Sequence, residues 1–201
     1  MTKEVENFNR QELFNHFNSG ENPFLILTTK IDVTSVVDYC KIHKNFYPTM
    51  GYIITKTVND IENFKYRYKD NKIYYCDVIN SNYTQMIGED IGFFDVPYTD
   101  DYNKYIESFL DIQSKFINGE YNLFENVLDE IWLSCAPWFS FTGLIPPYNK
   151  ENSIPQFIWD KYELVNGKYY INLMIMIHHG FADGSHIAKF IKLLNENIQK
   201  F

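Results

Sequence analysis

The residues best suited to chemistry lie near the C-terminal end, in the segment Ile175-Met176-Ile177-His178-His179-Gly180-Phe181-Ala182-Asp183-Gly184. An apolar run leads into two histidines, and an Asp-Gly pair follows a small and apolar stretch. This order predicts an imidazole at the end of a buried strand and a carboxylate that braces the following turn. Histidine has the side-chain pKa nearest neutrality, so a histidine held at a strand end is suited to general-base catalysis. Taken alone, the pattern still favours a structural role.

The stretches around this segment alternate between strand-like and helix-like patterns. Strands are predicted over 24–32, 64–68, 72–79, 83–94, 157–162 and 168–178, with turns at 69–71 and 166–167. Helices are predicted over 9–17, 34–42, 102–116 and 187–198, with another beginning after Pro48, and Asn9, Thr34 and Ser185 are the expected caps. These elements predict an α/β protein of the α+β two-layer type, with a mixed, largely antiparallel sheet covered by helices.

Composition narrows the class of protein. With 201 residues and 45% apolar content, the chain is expected to form a single domain over 1–201. The net charge of −8 argues against nucleic-acid binding, and the alternating Lys65, Arg67 and Lys69 are interpreted as a solvated strand face.

Cysteine usage and hydropathy indicate the compartment. Cys40, Cys76 and Cys135 are odd in number and lack zinc-ligand spacing, so neither a disulfide framework nor a metal site is expected. No signal peptide or membrane-length apolar run is recognised, and a soluble cytoplasmic protein without membrane contact is predicted.

The histidine segment, extended to His186, resembles the chloramphenicol acetyltransferase signature His-His-x-x-x-Asp-Gly-x-His at every fixed position. Further matches follow in the family's order along nearly the whole chain. They are the N-terminal element Asn9-Arg10-Gln11-Glu12-Leu13-Phe14, the strand exit Lys30-Ile31-Asp32-Val33-Thr34, the helix start Phe46-Tyr47-Pro48 and the segment Ser134-Cys135-Ala136-Pro137-Trp138-Phe139-Ser140-Phe141. The ordered set is much more specific than any single match.

The resemblance implies a division of roles for an acetyl transfer. His179 would be the general base that deprotonates an acceptor hydroxyl, and no acyl-enzyme is expected. Ser134 would donate its hydroxyl to the oxyanion of the tetrahedral intermediate. Asp183 would form a bidentate pair with Arg10 that braces the loop, whereas His178 and His186 would stabilise it.

The resemblance also implies the partners of the chain. Acetyl-CoA would be the co-substrate, contacted by Lys161, Tyr162, Trp138 and Tyr47. Family members are homotrimers, so we expect a homotrimer whose active sites lie between subunits.

The acceptor end departs from the family pattern. Ile158 replaces a threonine that helps to hold a water, and Pro23 and His16 replace a cysteine and an aromatic residue. Phe17, Phe24 and Leu25 would keep the acceptor pocket apolar. Three readings stay open: acetylation of chloramphenicol in antibiotic resistance, acetylation of another hydroxylated molecule, or a catalytically silent trimeric ligand-binding module.

Two rival chemistries are disfavoured by the residues. A Cys135–His nucleophilic pair would need Cys135 on the same side of its strand as Ser134, its neighbour in sequence, and strand neighbours point to opposite faces. A Ser-His-Asp hydrolase would be marked by a Gly-x-Ser-x-Gly elbow, and the sequence contains none.

Overall fold

A computed structural model describes residues 1–43, 45–120 and 127–201 of this chain. These residues form ten strands: β1 (Thr2–Glu4), β2 (Phe24–Asp32), β3 (Tyr66–Lys69), β4 (Lys72–Cys76), β5 (Asn80–Ile87), β6 (Asp90–Val96), β7 (Glu130–Ala136), β8 (Gln156–Asp160), β9 (Glu163–Val165) and β10 (Lys168–His178). They also form five α-helices: α1 (Gln11–Asn18), α2 (Thr34–His43), α3 (Phe46–Asn59), α4 (Tyr102–Ile117) and α5 (Gly184–Ile198). No helix in these ranges is long and apolar enough to cross a membrane.

The main sheet is mixed and largely antiparallel, which confirms the predicted fold class. Its seven strands include the path β2-β10-β8-β7-β5-β6, and β9 pairs with β10. The pairings β8–β7 and β7–β5 are parallel, and the others in this sheet are antiparallel. The predicted bounds of β2 and β10 agree with the structure to the residue. β10 therefore runs through the sheet and ends at His178.

The two faces of the main sheet are buried differently. Leu133, Phe157 and Ile175 point to the main core together with side chains of the helices. Because strand neighbours alternate between faces, Ser134 and Ile158 point to the other side. That side carries an apolar cluster of Phe24, Ile26, Phe141, Leu144, Ile158, Met174 and Met176. Among the described residues, the loop after β7 contributes Phe141 and Leu144 to this cluster, and no helix residue belongs to it.

A smaller sheet of β1, β4 and β3 holds the predicted hairpin, whose turn residues Asp70 and Asn71 both have positive φ. The solvated-face interpretation is wrong for Arg67, which is 0% exposed. Its guanidinium donates to the carbonyls of Phe64, Tyr66, Leu128 and Glu130 at 2.7–2.8 Å. These four acceptors compensate the buried charge and join the hairpin to the start of β7.

Several predicted element ends were displaced. α1 begins at Gln11 after Arg10, so Asn9 is not its cap. Asp183 caps α5 in place of Ser185, and α3 begins at Phe46, before Pro48. The predicted 83–94 strand is the β5–β6 hairpin with Gly88 at its turn. Thr34 is likewise the first residue of α2 and not its cap, and its hydroxyl accepts from the Tyr169 N–H. A side-chain cap forms only where a side chain reaches the free backbone N–H groups: Asp183 reaches that of Ser185, whereas no side chain caps the start of α1.

Candidate active site

The loop between β10 and α5 is held by its own backbone. The N–H groups of Phe181 and Ala182 both donate to the carbonyl of His178, at 3.0 and 3.2 Å. The N–H of His179 donates to the carbonyl of Pro23 at 2.8 Å, which ties the loop to the residue before β2. The imidazole of His179 therefore starts from a fixed backbone position.

The ring of His179 is fixed in both orientation and tautomer. Its Nδ1 lies 3.2 Å from the carbonyl oxygen of Ala182. Since a carbonyl only accepts hydrogen bonds, Nδ1 carries the proton of the neutral ring and Nε2 keeps a free lone pair. The Phe17 ring stacks on the imidazole with centroids 3.9 Å apart and planes 10° apart. The half-buried His179 thus has an Nε2 lone pair that is free to accept a proton.

His178 has a structural environment, in agreement with the role expected for it. Its ring is buried and stacks on Phe14 at a centroid distance of 5.0 Å. Nδ1 accepts from the Gly180 N–H at 3.2 Å, and Nε2 lies 3.3 Å from Asn18 Oδ1. Burial, with a smaller contribution from the neighbouring His179, lowers the pKa of His178 to about 4. The ring is therefore neutral at physiological pH.

Asp183 and Arg10 form the expected ion pair with a different geometry. Arg10 Nη1 lies 3.1 Å from Asp183 Oδ2, whereas Arg10 Nε donates to the Gly180 carbonyl at 3.4 Å. The expected bidentate pair is thus wrong, because the guanidinium divides its donors between the carboxylate and the loop backbone. The other oxygen, Oδ1, accepts from the N–H and hydroxyl of Ser185 and contacts His186 Nδ1. Ser185, followed by Arg10 and His186, holds the pKa of Asp183 well below its usual range.

Helix α1 lies along the loop between β10 and α5 and holds it in place. Arg10, Phe14, Phe17 and Asn18 are spaced so that they share one helix face, and each contacts residues 178–183. Gly180 allows this approach, because a Cβ there would lie 2.7 Å from the Cα of Phe14. The sequence prediction missed the roles of Phe14, Asn18 and Gly180, although helical periodicity indicated the face that Phe14 and Phe17 share.

Ser134 lies in a different part of the chain. It is half-buried in the middle of β7, on the sheet face opposite the main core. In the described residues no hydrogen bond involves its hydroxyl, which leaves the O–H free to donate. Ile158 is its partner in β8, so an apolar side chain replaces the threonine of the family pattern beside this hydroxyl.

The sheet register separates Ser134 from His179. Ser134 pairs with Ile158, and Ile158 pairs with Met174, so two strand spacings lie between Ser134 and β10. His179 is five residues beyond Met174. With about 3.4 Å per residue and about 4.8 Å per strand spacing, the two residues are roughly 20 Å apart. One acceptor molecule cannot contact both side chains of the same chain.

Three of the four predicted cofactor residues are exposed near the C-terminal ends of β7 and β8. Trp138 and Tyr162 are 67% and 45% exposed, and the Lys161 ammonium lies 4.0 Å from Glu163. Glu163 in turn accepts from the Ser140 hydroxyl at 2.6 Å, which joins the two segments. The Tyr162 ring packs edge-on against Phe46 at the start of α3. The Ser140–Glu163 and Phe46–Tyr162 contacts therefore join the segments that follow β7 and β8 to the start of α3.

Tyr47 differs from the other three cofactor candidates. Its hydroxyl donates to the carbonyl of Thr84 at 2.8 Å, and its ring packs against Tyr83 and Trp159. Burial raises the pKa of this hydroxyl. Tyr47 therefore packs against the main core, and only a partly exposed side chain is left for a ligand.

The predicted acceptor residues do not all meet within one chain. Phe24 and Ile158 share the apolar cluster on the Ser134 face, whereas Phe17 stacks on His179. Leu25 packs against the main core on the opposite face of β2, so the expectation that it lines the same pocket as Phe24 is not supported within one chain. Of the two residues that depart from the family pattern, Pro23 is buried beside His179 and His16 is exposed on α1.

Cys135 has the properties of an unreactive thiol. It packs against the main core, on the other face of β7 from Ser134. Burial, with the charge of Asp160, raises the pKa of this thiol to about 12. A thiolate nucleophile at this position is therefore disfavoured.

Several known proteins are similar to this chain over nearly its whole length. A family model described as chloramphenicol acetyltransferase matches residues 1–195. The chain is 28% identical over 207 residues to a chloramphenicol acetyltransferase of Staphylococcus aureus, covering 96% of this chain and 93% of the relative. It is 27% identical over 209 residues to one of Campylobacter coli, covering 98% and 97%. A solved structure of a chloramphenicol acetyltransferase has the same fold, with a TM-score of 0.84 at 24% identity, covering 98% of this chain and all of that one. The chain belongs to the chloramphenicol acetyltransferase family of acyltransferases.

Proposed function

We propose that this protein transfers the acetyl group of acetyl-CoA to a hydroxyl of a small molecule, with chloramphenicol as the first candidate acceptor. The observation that carries the proposal is the hydrogen bond between His179 Nδ1 and the Ala182 carbonyl. It gives the ring a single neutral tautomer whose free Nε2 is an oriented general base. Names of the relatives support the same reaction class.

The proposed transfer is direct. His179 Nε2 takes the proton of the acceptor hydroxyl as its oxygen attacks the thioester carbonyl. Ser134 donates its hydroxyl to the carbonyl oxygen as it gains negative charge, an interaction of roughly 3 kcal/mol in comparable enzymes. The carbon–sulfur bond then breaks, and His179 returns the proton to the leaving sulfur. Atoms and charge balance without a covalent enzyme intermediate.

We infer that the active site lies between two copies of the chain in a homotrimer. Both catalytic groups must lie about 3 Å from the reacting atoms, and the register separates them by roughly 20 Å within a chain. A second copy that places its His179 over the Ser134 face removes this conflict. The partly exposed Ile26 and Ile158 of that face, with the exposed Phe139 and Ile145 of the loop after β7, also give a second copy apolar surface to cover.

The acceptor is proposed to bind against the apolar cluster of the Ser134 face. A groove of about 390 Å³ runs beside this cluster, between β2 and the loop after β7, lined by Ile26, Leu27, Thr28, Thr142, Gly143, Leu144 and Ile145. Its walls favour an acceptor with an apolar or aromatic body. Ile158 cannot hold a water by a hydroxyl, so an acceptor other than chloramphenicol is the second candidate.

For the co-substrate, the exposed Trp138, Lys161 and Tyr162 supply flat apolar surfaces and one cation. This combination suits the adenine ring and a phosphate of acetyl-CoA. The free thiols of Cys40, Cys76 and Cys135 suit a reducing compartment, which supports a cytoplasmic location.

The test of the reaction is a thiol-release assay with acetyl-CoA against chloramphenicol and a panel of hydroxylated compounds. His179→Ala is compared with His43→Ala, a control histidine at the end of α2 that stacks on Tyr39. Chloramphenicol turnover lost only in His179→Ala supports the proposal, and turnover of another compound alone supports the second acceptor. Acetyl-CoA binding without any turnover would instead indicate a silent ligand-binding module.

The test of the shared site is complementation. His179→Ala and Ser134→Ala are each expected to be nearly inactive. When the two variants are unfolded and refolded together, mixed trimers should regain activity, because some interfaces then combine an intact His179 with an intact Ser134. Sedimentation equilibrium should give three chains per particle. A stable monomer, or an absence of recovery in mixtures shown to contain hetero-oligomers, would overturn the shared site.

A further inference from the structure

Asn18 connects the end of α1 to the imidazole beneath the catalytic loop. Its Oδ1 lies 3.3 Å from His178 Nε2, and His178 Nδ1 accepts from the Gly180 N–H at 3.2 Å. Because a backbone N–H can only donate, Nδ1 is unprotonated and the neutral ring carries its proton on Nε2. That proton is donated to Asn18. A two-bond chain therefore runs from Asn18 through His178 to the residue next to His179.

We propose that Asn18 is a positioning residue for the transfer reaction, holding His178 in the Nε2–H tautomer that fixes the Gly180 amide and thereby the base His179. The inference rests on the proposed function, since the loop is useful only if His179 acts as the base. It adds a residue that contacts neither substrate nor His179.

The arrangement works only while His178 is neutral. A protonated ring would carry a hydrogen on Nδ1 as well, pointing at the Gly180 N–H, and two donors facing each other would displace the loop. The rings of Phe14, Phe24 and Phe181 pack around the imidazole and exclude water.

Few charged groups face this ring. The titratable and charged groups near it are His179 in the same loop, Arg10 at the Gly180 carbonyl and Tyr66 across a small cavity from β3. Within the described ranges no carboxylate bonds to the ring. The Asn18 amide is thus a neutral acceptor, whereas an anion at its position would stabilise the protonated form of His178.

The decisive variant is Asn18→Asp. It keeps the shape and the acceptor, but its negative charge about 3 Å from Nε2 favours the imidazolium, so the pKa of His178 should rise by about one to two units. Protonation of His178 would then inactivate the enzyme at a higher pH than in the wild type. We expect the acid limb of the kcat/KM profile to move to higher pH, with activity near wild type at pH 8.5.

The matched control is Asn15→Asp, which adds the same charge to the exposed side of α1, where Asn15 bonds only to Gln11. Its pH profile should follow the wild type. Asn18→Leu removes the acceptor and should lower kcat across the whole pH range, because the ring is then free to change tautomer. Coincident profiles for Asn18→Asp and Asn15→Asp would overturn the proposal.

A second readout does not depend on activity. Imidazole ¹⁵N chemical shifts of the wild type should identify His178 as the Nε2–H tautomer, and Asn18→Asp should raise the pKa of His178. An Nδ1–H tautomer, or an unchanged His178 pKa, would overturn the positioning role. If the wild type transfers no acetyl group, the proposed function fails, and these shifts still decide the His178 link.

Discussion

The two halves of the candidate site are built in opposite ways within one chain. Around His179 the chain itself holds the ring and leaves Nε2 free: a carbonyl fixes the imidazole, a stacked ring covers it, and Arg10 divides its donors between Asp183 and the loop backbone. Around Ser134 the hydroxyl is free within the described residues, and the nearby Trp138 and Tyr162 are exposed.

The difference follows from what each half must do. A general base is useful only when its tautomer and direction are fixed before the substrate arrives, so its contacts belong to the same chain. A surface that receives a co-substrate, an acceptor and a second subunit must keep its polar and apolar groups available. Binding partners are therefore expected at the half around Ser134, whose hydroxyl has no hydrogen bond within the described residues.

The largest expected effect is on kcat and concerns the half of the candidate site around Ser134. Ser134→Ala should lower kcat by roughly one hundredfold to one thousandfold, because the oxyanion loses its donor. The melting temperature should hardly change, since the hydroxyl has no bond to lose in the described residues. Steady-state kinetics and thermal unfolding measure both quantities. Cys135→Ala, on the other face of the same strand, should leave kcat within about twofold. Equal kinetics for the two variants would remove Ser134 from the mechanism.

The next largest effect is on the pH dependence of stability and concerns the half of the candidate site around His179. Because the folded state holds the His178 pKa at about 4 and the unfolded pKa is near 6.5, the unfolded chain binds the proton first. Stability is therefore lost as the pH falls from 6.5 to 4, by up to about 3 kcal/mol. Urea unfolding between pH 4.5 and 7.5 measures this slope, which should be smaller in His178→Gln. Parallel slopes in the two proteins would show that His178 is not a buried neutral ring.

A smaller effect on stability and kcat is expected where the loop packs against α1. Gly180→Ala places a Cβ 2.7 Å from the Phe14 backbone, so either α1 or the loop must shift. We expect about 1–3 kcal/mol of lost stability and a lower kcat from the displaced His179. Gly184→Ala is the control, because a Cβ at Gly184 meets no atom within 4 Å. Chemical denaturation and kinetics of the pair should differ, and matching results would mean that the close approach is unimportant.

The smallest effect belongs to the exposed co-substrate surface. Lys161→Met should raise the KM for acetyl-CoA by about twofold to fivefold without changing kcat, since an exposed charge contributes at most about 1 kcal/mol. Lys104→Met, an exposed lysine on α4, is the control for net charge. A change in kcat and not in KM would show that Lys161 acts in the chemical step and not in acetyl-CoA binding. It would also weaken the contrast between the His179 half and the Ser134 half.

Much of the local structure could be predicted because it depends on local patterns. The bounds of β2 and β10 follow from apolar runs that end at turn residues, and the hairpin turns follow from Asp70-Asn71 and Asn166-Gly167. The residues of the candidate site were also recognisable, because their types and spacing match the family in order.

The contacts between distant segments could not be predicted in the same way. Nothing in the alternation of Lys65, Arg67 and Lys69 indicates that four carbonyls from two segments enclose the middle residue. The divided donors of Arg10 and the fit of Gly180 against Phe14 likewise depend on how α1 docks on the loop.

The sequence by itself determined most elements, the fold class and the candidate site residues, because period, turn chemistry and motif spacing are properties of neighbouring residues. Only the tertiary structure decided that the His179 ring is fixed by the Ala182 carbonyl and that Ser134 lies roughly 20 Å away across the sheet. The reason is physical: tautomer, burial and distance are set by residues far apart in the chain that meet only when strands take their register and helices pack on them.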